Sequence, residues 1–151
     1  MKLIELHIAS THSSPEINFD PETGFLELKG KSIPENATKV YQPTVEWVKD
    51  YIVNPAEETN LHINLFYFNT ASSIWIARII KILTGINDLE KLLVIHLYFH
   101  IEEFEEMEEE DMKEAIAPVT NVVHDATVSI GMKLYGTDDN GKIIKERLIL
   151  V

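Results

Sequence analysis

Across 151 residues the chain carries 25 acidic and 13 basic side chains, a formal charge of −12, with 45% hydrophobic residues and no cysteine. That inventory is enough for one cored domain, and it excludes a thiolate nucleophile, a disulfide framework and any Cys-based zinc or iron–sulfur site. The negative charge repels phosphate backbones and anionic headgroups alike, so neither nucleic acid nor a membrane surface is an expected partner.

The first ten residues are apolar only in alternation and include Glu5, unlike the unbroken apolar run of a signal peptide, and no apolar stretch approaches the roughly 18 to 20 residues that span a bilayer. The expected location is cytoplasmic. Leu3 to Ala9 alternates as a strand does, and two more strands are predicted at Ile17 to Phe19 and Phe25 to Lys29, joined by the turn-rich Asp20-Pro21-Glu22-Thr23-Gly24 into a β-hairpin. A short helix is predicted over Thr44 to Val53, with Val45, Val48 and Ile52 on one face and Asn54-Pro55 as its stop.

From Asn60 to Phe68 apolar residues occupy both parities, which predicts a central strand covered on both faces. After Asn69-Thr70-Ala71-Ser72-Ser73, the stripe Ile76, Ile79, Ile80 and Leu83 predicts a second helix ending at Gly85. Leu92 to Phe99 reads as a buried strand, followed by an acidic stretch and a helix to Ala117. Val128, Ile130, Met132 and Leu134 then alternate before Asp139-Asn140-Gly141, and Ile143 to Val151 resumes apolar, which predicts a hairpin on a sheet edge, separated from the body by Pro118 to His124. The expected architecture is α/β: a mixed sheet with helices packed on it and hairpins at both ends. Residues 1–151 are expected to form a single domain, with 126–151 as a terminal hairpin extension.

Asn69 to Ser73 lies between a predicted strand and a helix N-terminus, where unpaired N–H groups and a partial positive charge favour an anion. A phosphate on a hydroxyl there adds about −1.5 to −2 charges and changes what can dock. The plainer role of Thr70 or Ser72 is to cap the helix, for about 1 kcal/mol. Glu102 to Asp111 holds eight carboxylates in ten residues, interrupted by Phe104 and Met107. It lacks the Asp/Asn-and-Gly spacing of an EF-hand, so a solvated acidic face is expected rather than a metal site, with Phe104 and Met107 as anchors for a basic partner. His96 and His100 are four apart, about 13 Å in a strand, too far to share a metal. No G-x-S-x-G or Walker signature is present, and no enzyme is expected.

Ser14-Pro15-Glu16-Ile17-x-Phe19-Asp20, then Gly24 and Gly30-Lys31-Ser32-Ile33-Pro34-Glu35-Asn36-Ala37, and later Tyr67-Phe68-Asn69-Thr70-x-Ser72-Ser73 resemble the SiaC family of bacterial regulatory phosphoproteins over about Thr11 to Glu114. The resemblance implies a fold like the SpoIIAA (STAS-like) anti-sigma-factor antagonists. It places the phosphoacceptor at Thr70, with Ser72 and Ser73 as fallbacks and Asn69, Thr70, Ser72 and Ser73 in the partner-binding surface. It further implies a partner-switch Ser/Thr kinase, a PPM-type phosphatase and a diguanylate cyclase activated by the unmodified form, hence a gate on cyclic di-GMP signalling in biofilm control, with no cofactor. Two other readings stand beside it. One is a small-molecule or lipid-binding domain with an apolar pocket lined by Tyr67, Trp75 and Tyr98; the other is a homodimer built on the terminal hairpin.

Overall fold

The computed structural model describes residues 2–123 and 125–150. In chain order its elements are β1 Leu6–Ile8, β2 Glu16–Phe19, β3 Phe25–Ser32, α1 Ala37–Tyr51, β4 Glu58–Phe68, α2 Thr70–Leu83, β5 Leu92–His100, α3 Ile101–Glu106, α4 Glu109–Val123, β6 Ser129–Thr137 and β7 Ile143–Leu150. The seven strands make one sheet in sequence order, antiparallel at both margins and parallel from β3 to β6.

That order decides which face is covered. Right-handed crossovers that each advance one strand in the same direction drop every helix on the same side of the sheet. Leu26, Leu28, Leu61, Leu65, Ile95, Leu97, Met132 and Leu134 point to that side, against Val48 of α1, Ile76, Ile79 and Ile80 of α2, and Met112, Ile116 and Val119 of α4. The opposite parity of the same strands faces away from all helices, so β4 is central but covered on one face only. Phe66, Tyr67 and Phe68 at its end are exposed, a correction to the expectation of two covered faces.

Other boundaries moved for identifiable reasons. Helix α1 begins seven residues earlier than expected, because Asn36 caps it by accepting from the Lys39 N–H at 3.2 Å, and Pro43 is accommodated inside the helix. The acidic stretch is helical, divided between α3 and α4 around Met107 and Glu108. Acidic side chains suit first helical turns. Residues 118–123 continue α4 and separate nothing, while His124, the end of the expected separator, lies outside the described residues. Finally, the terminal hairpin is not an appendage: β6 pairs with β5 over nine positions as an interior strand, and only β7 lies at the edge.

Gly24 explains the tight N-terminal turn. It has φ +76°, and a Cβ there would sit 2.1 Å from the Glu58 carbonyl oxygen, so the turn that joins β2 to β3 can lie against β4 only with glycine.

Candidate functional site

The carboxyl ends of β3 and β4 meet the start of α2. Asn69 leaves β4 with its N–H bonded to the Ser32 carbonyl at 3.0 Å, and its side-chain Oδ1 accepts from the Ser72 N–H at 2.9 Å. Asn69 is therefore the cap, the role the sequence suggested for Thr70 or Ser72. Thr70 follows as the first helical residue, exposed. Its own N–H and that of Ala71 belong to the group of helix-start donors that have no partner within the helix.

Ser72 is sealed. It is 0% exposed, its hydroxyl donates to the Ser32 carbonyl at 2.9 Å and lies 2.7 Å from Ser32 Oγ, and Ser32 Oγ in turn meets the Tyr41 hydroxyl at 2.5 Å. Burial raises the Tyr41 pKa, opposed by its hydroxyl neighbours, so this network stays protonated and neutral. Ser72 thus fails as a fallback acceptor and as a docking residue; its work is to fasten α2 to β3. Ser73 is half-buried, with its hydroxyl donating to the Thr70 carbonyl at 2.7 Å.

The other predicted docking residues separate as well. Phe104 is buried under α3 and packs on Gly136 of β6, so it anchors its own helix and not a partner. Met107 is half-buried and lines a shallow acidic depression with Glu103, Glu106, Asp111 and Glu114. Between α2, α4 and the ends of β4 and β5 lies an apolar crevice of about 110 Å³ lined by residues including Phe68, Ile76, Leu97, Phe99 and Val119. Of the three aromatics expected to form a pocket, only Tyr98 borders it. Trp75 stacks on Tyr41 at 6.3 Å, and Tyr67 is exposed.

A second constellation lies on the helix-free face. His62 and His96 stack at 4.0 Å, Tyr98 and Tyr135 at 4.6 Å, and each histidine Nδ1 lies 2.7 Å from a tyrosine hydroxyl, His62 to Tyr98 and His96 to Tyr135. His96 Nε2 meets Asn60 Oδ1 at 2.8 Å. Burial, then the charges of His62 and Lys133, pushes His96 down to about 3, and burial lowers His62 as well. Burial pushes Tyr98 up to about 12, so the hydroxyls keep their protons and donate to neutral rings. Spacing alone cannot show this block, since its members come from three strands whose register brings them together.

Comparison with known proteins now bears on the first site. The model of the SiaC family regulatory phosphoproteins matches residues 8–124. The chain belongs to the SiaC family. The match includes Asn69, Thr70 and the whole of β3 to α3, whereas β6 and β7 lie beyond it. A protein of Pseudomonas aeruginosa (strain UCBPP-PA14) is 34% identical over 68 residues, 45% of this chain, and the alignment spans about half, 54%, of that relative's length. The crystal structure of apo-SiaC from Pseudomonas aeruginosa is 25% identical, with a TM-score of 0.62 over 73% of this chain and 91% of that one. A chain of the solved complex between the diguanylate cyclase SiaD and its activator SiaC, from the same organism, shares the fold, with a TM-score of 0.66 at 22% identity over 86% of this chain and 99% of that one. SiaC is a regulatory family, and the fold is that of the solved SiaC structures. Among the described residues no helix is long and apolar enough to cross a membrane.

Proposed function

We propose that this SiaC-family chain is a non-enzymatic, cytoplasmic partner-switching protein whose phosphoacceptor is Thr70, and whose unmodified form binds and activates a diguanylate cyclase. A partner-switch Ser/Thr kinase adds the phosphate and a PPM-type phosphatase removes it. The observation that carries this reading is the contrast within one helical turn: Thr70 stands exposed at the first position of α2, while Ser72 is 0% exposed. A kinase can reach the first hydroxyl and not the second. The product dianion would sit beside the free N–H groups of the helix start, which stabilise it.

The switch acts by subtraction. Tyr67, Phe68 and Ile74 are exposed around the same junction, an apolar surface suited to docking. A phosphate on Thr70 must be desolvated when a partner covers that surface, and a coupling of about 3 kcal/mol lowers affinity more than a hundredfold. Lipid binding has little support, because the apolar crevice of about 110 Å³ is well below the roughly 300 to 1,000 Å³ of ordinary ligand pockets.

The deciding experiment incubates the chain with its kinase and ATP, maps the phosphate by mass spectrometry, and titrates modified and unmodified protein against the cyclase. The expected result is modification at Thr70, its absence in Thr70→Ala, and cyclase binding confined to the unmodified form. A phosphate placed elsewhere, or equal binding by both forms, would sink the proposal.

A further inference from the structure

The helix-free face is built like an interface rather than like a wetted surface. Its centre is the block of His62, His96, Tyr98 and Tyr135, in which His96 satisfies both ring nitrogens and each tyrosine hydroxyl has a partner inside the block. Polar groups already bonded to one another can be buried without leaving donors or acceptors stranded. Around the block stand Phe25, Phe66, Leu92, Ile144 and Leu148, each 36% exposed or more. Among the described residues nothing covers them, because every described helix is on the other side.

We propose that this face is the interface of a homodimer, in which two copies meet face to face about a two-fold axis running along β5. Charge argues for a second copy in particular. On the paired rows of β3 to β7 the face carries Glu27, Glu58 and Glu146 against Lys29, Lys31 and Lys133, which sum to zero. The whole chain carries −12, so contact through most other surfaces would set like charges together.

The register supplies self-complementarity. Lys29 pairs with Asn64, Tyr98 with Tyr135, and Tyr135 with Glu146, a row that crosses from β4 to β5 one step past the Ile63–Leu97 pair. Rotation about β5 lays β3 over β7 of the second copy and β4 over its β6. Lys29 then faces Glu146 of the second copy, Glu27 comes within reach of its Lys133, and Phe66 turns towards its Ile144. Aligned sheets stack about 10 Å apart in this manner.

Size is adequate too. With strands about 4.8 Å apart rising about 3.3 Å per residue, five strands of eight residues give a footprint of roughly 600 Å². The protruding rings bring the accessible area towards the ~800 Å² per partner of a standard interface. Two of the five strands of this surface, β6 and β7, lie beyond the family match. The dimer does not depend on Thr70 or on any cyclase.

The test is the mass of the full chain in solution, by light scattering and sedimentation at up to about 100 μM. The expected wild-type species is a dimer of about 35 kDa, twice the 17.3 kDa chain. Phe66→Asp, at an exposed position that leaves the fold intact, is expected to weaken association at least tenfold. Lys29→Glu and Glu146→Lys should each weaken it a few-fold, and the double reversal should restore it. A 17 kDa monomer at every concentration overturns the proposal and leaves the face to another macromolecule. So does a dimer indifferent to Phe66→Asp and to the reversal pair, which would place the contact elsewhere.

Discussion

Ser72 and Ser32, forty residues apart, are joined twice: the Ser72 hydroxyl donates to the Ser32 carbonyl at 2.9 Å and lies 2.7 Å from its Oγ. This clasp fixes the start of α2 against the end of β3 and sets where Thr70 is presented. Removing the hydroxyl in Ser72→Ala is expected to cost about 1 to 2 kcal/mol, the loss of a buried bond with a stranded partner. Ser72→Glu places an unpaired charge in the core and is expected to cost 3 kcal/mol or more. Urea unfolding measures both; a Ser72→Glu protein as stable as wild type would show that this position is not sealed.

The cap belongs to Asn69, so stability and signalling separate along two adjacent residues. Asn69→Ala removes the acceptor for the Ser72 N–H and is expected to cost about 1 kcal/mol. Thr70→Ala removes an exposed hydroxyl outside the cap and should stay within about 0.5 kcal/mol of wild type. Thermal unfolding of the two variants side by side checks the assignment, and the reverse ranking would return the cap to Thr70.

Much of this geometry was legible in the residues themselves, and what was missed has a physical cause. The stripe of Ile76, Ile79, Ile80 and Leu83 marked α2 correctly because a helix face buries at fixed spacing. The apolar spacing of Val45, Val48 and Ile52 marked only the second part of α1, whose cap at Asn36 lies ahead of Pro43, a proline held inside the helix. Apolar residues on both parities of β4 suggested two covered faces, yet sequence does not reveal that every crossover falls on one side. The buried state of Ser72, one residue from an exposed alanine, follows from helical phase at a cap that moved to Asn69. The His62, His96, Tyr98 and Tyr135 block depends on register between strands, which no local pattern encodes.

That block makes stability depend on pH. His96 is held down to about 3 in the fold against an ordinary value of 6.5. As pH falls through about 6.5 the unfolded chain takes up a proton that the folded chain refuses until about 3. The contribution is therefore complete above about 6.5 and lost progressively between there and about 3. His62 shifts in the same direction, also through burial. The free energy of unfolding should fall with a slope near 1.4 kcal/mol per pH unit for each such histidine. In His96→Gln the slope between about pH 6 and 4 should be shallower by close to one proton, as measured by urea unfolding at a series of pH values. An unchanged slope would mean that the imidazole is protonated in the fold.

Gly136 determines how α3 sits on the sheet. A Cβ added there would lie 2.8 Å from Ile101 Cδ1 and 3.0 Å from both Cβ and Cγ of Phe104. The isoleucine methyl can swing away, but Phe104 Cβ is fixed to the helix backbone, so α3 itself must lift. Because Phe104 is 7% exposed, lifting it opens apolar surface, and Gly136→Ala is expected to cost about 1 to 3 kcal/mol. The displacement would also move Glu103, Glu106 and Met107, and with them the acidic depression they line. Gly131, in the same strand, is the control: an added Cβ meets nothing within 4 Å, so Gly131→Ala should be neutral or slightly stabilising through a less flexible unfolded chain. Urea unfolding gives the two free energies, and amide exchange over Ile101 to Glu106 reports whether α3 alone has loosened. Equal costs for the two alanines, or exchange raised evenly across the sheet, would rule out a local clash under α3 as the cause.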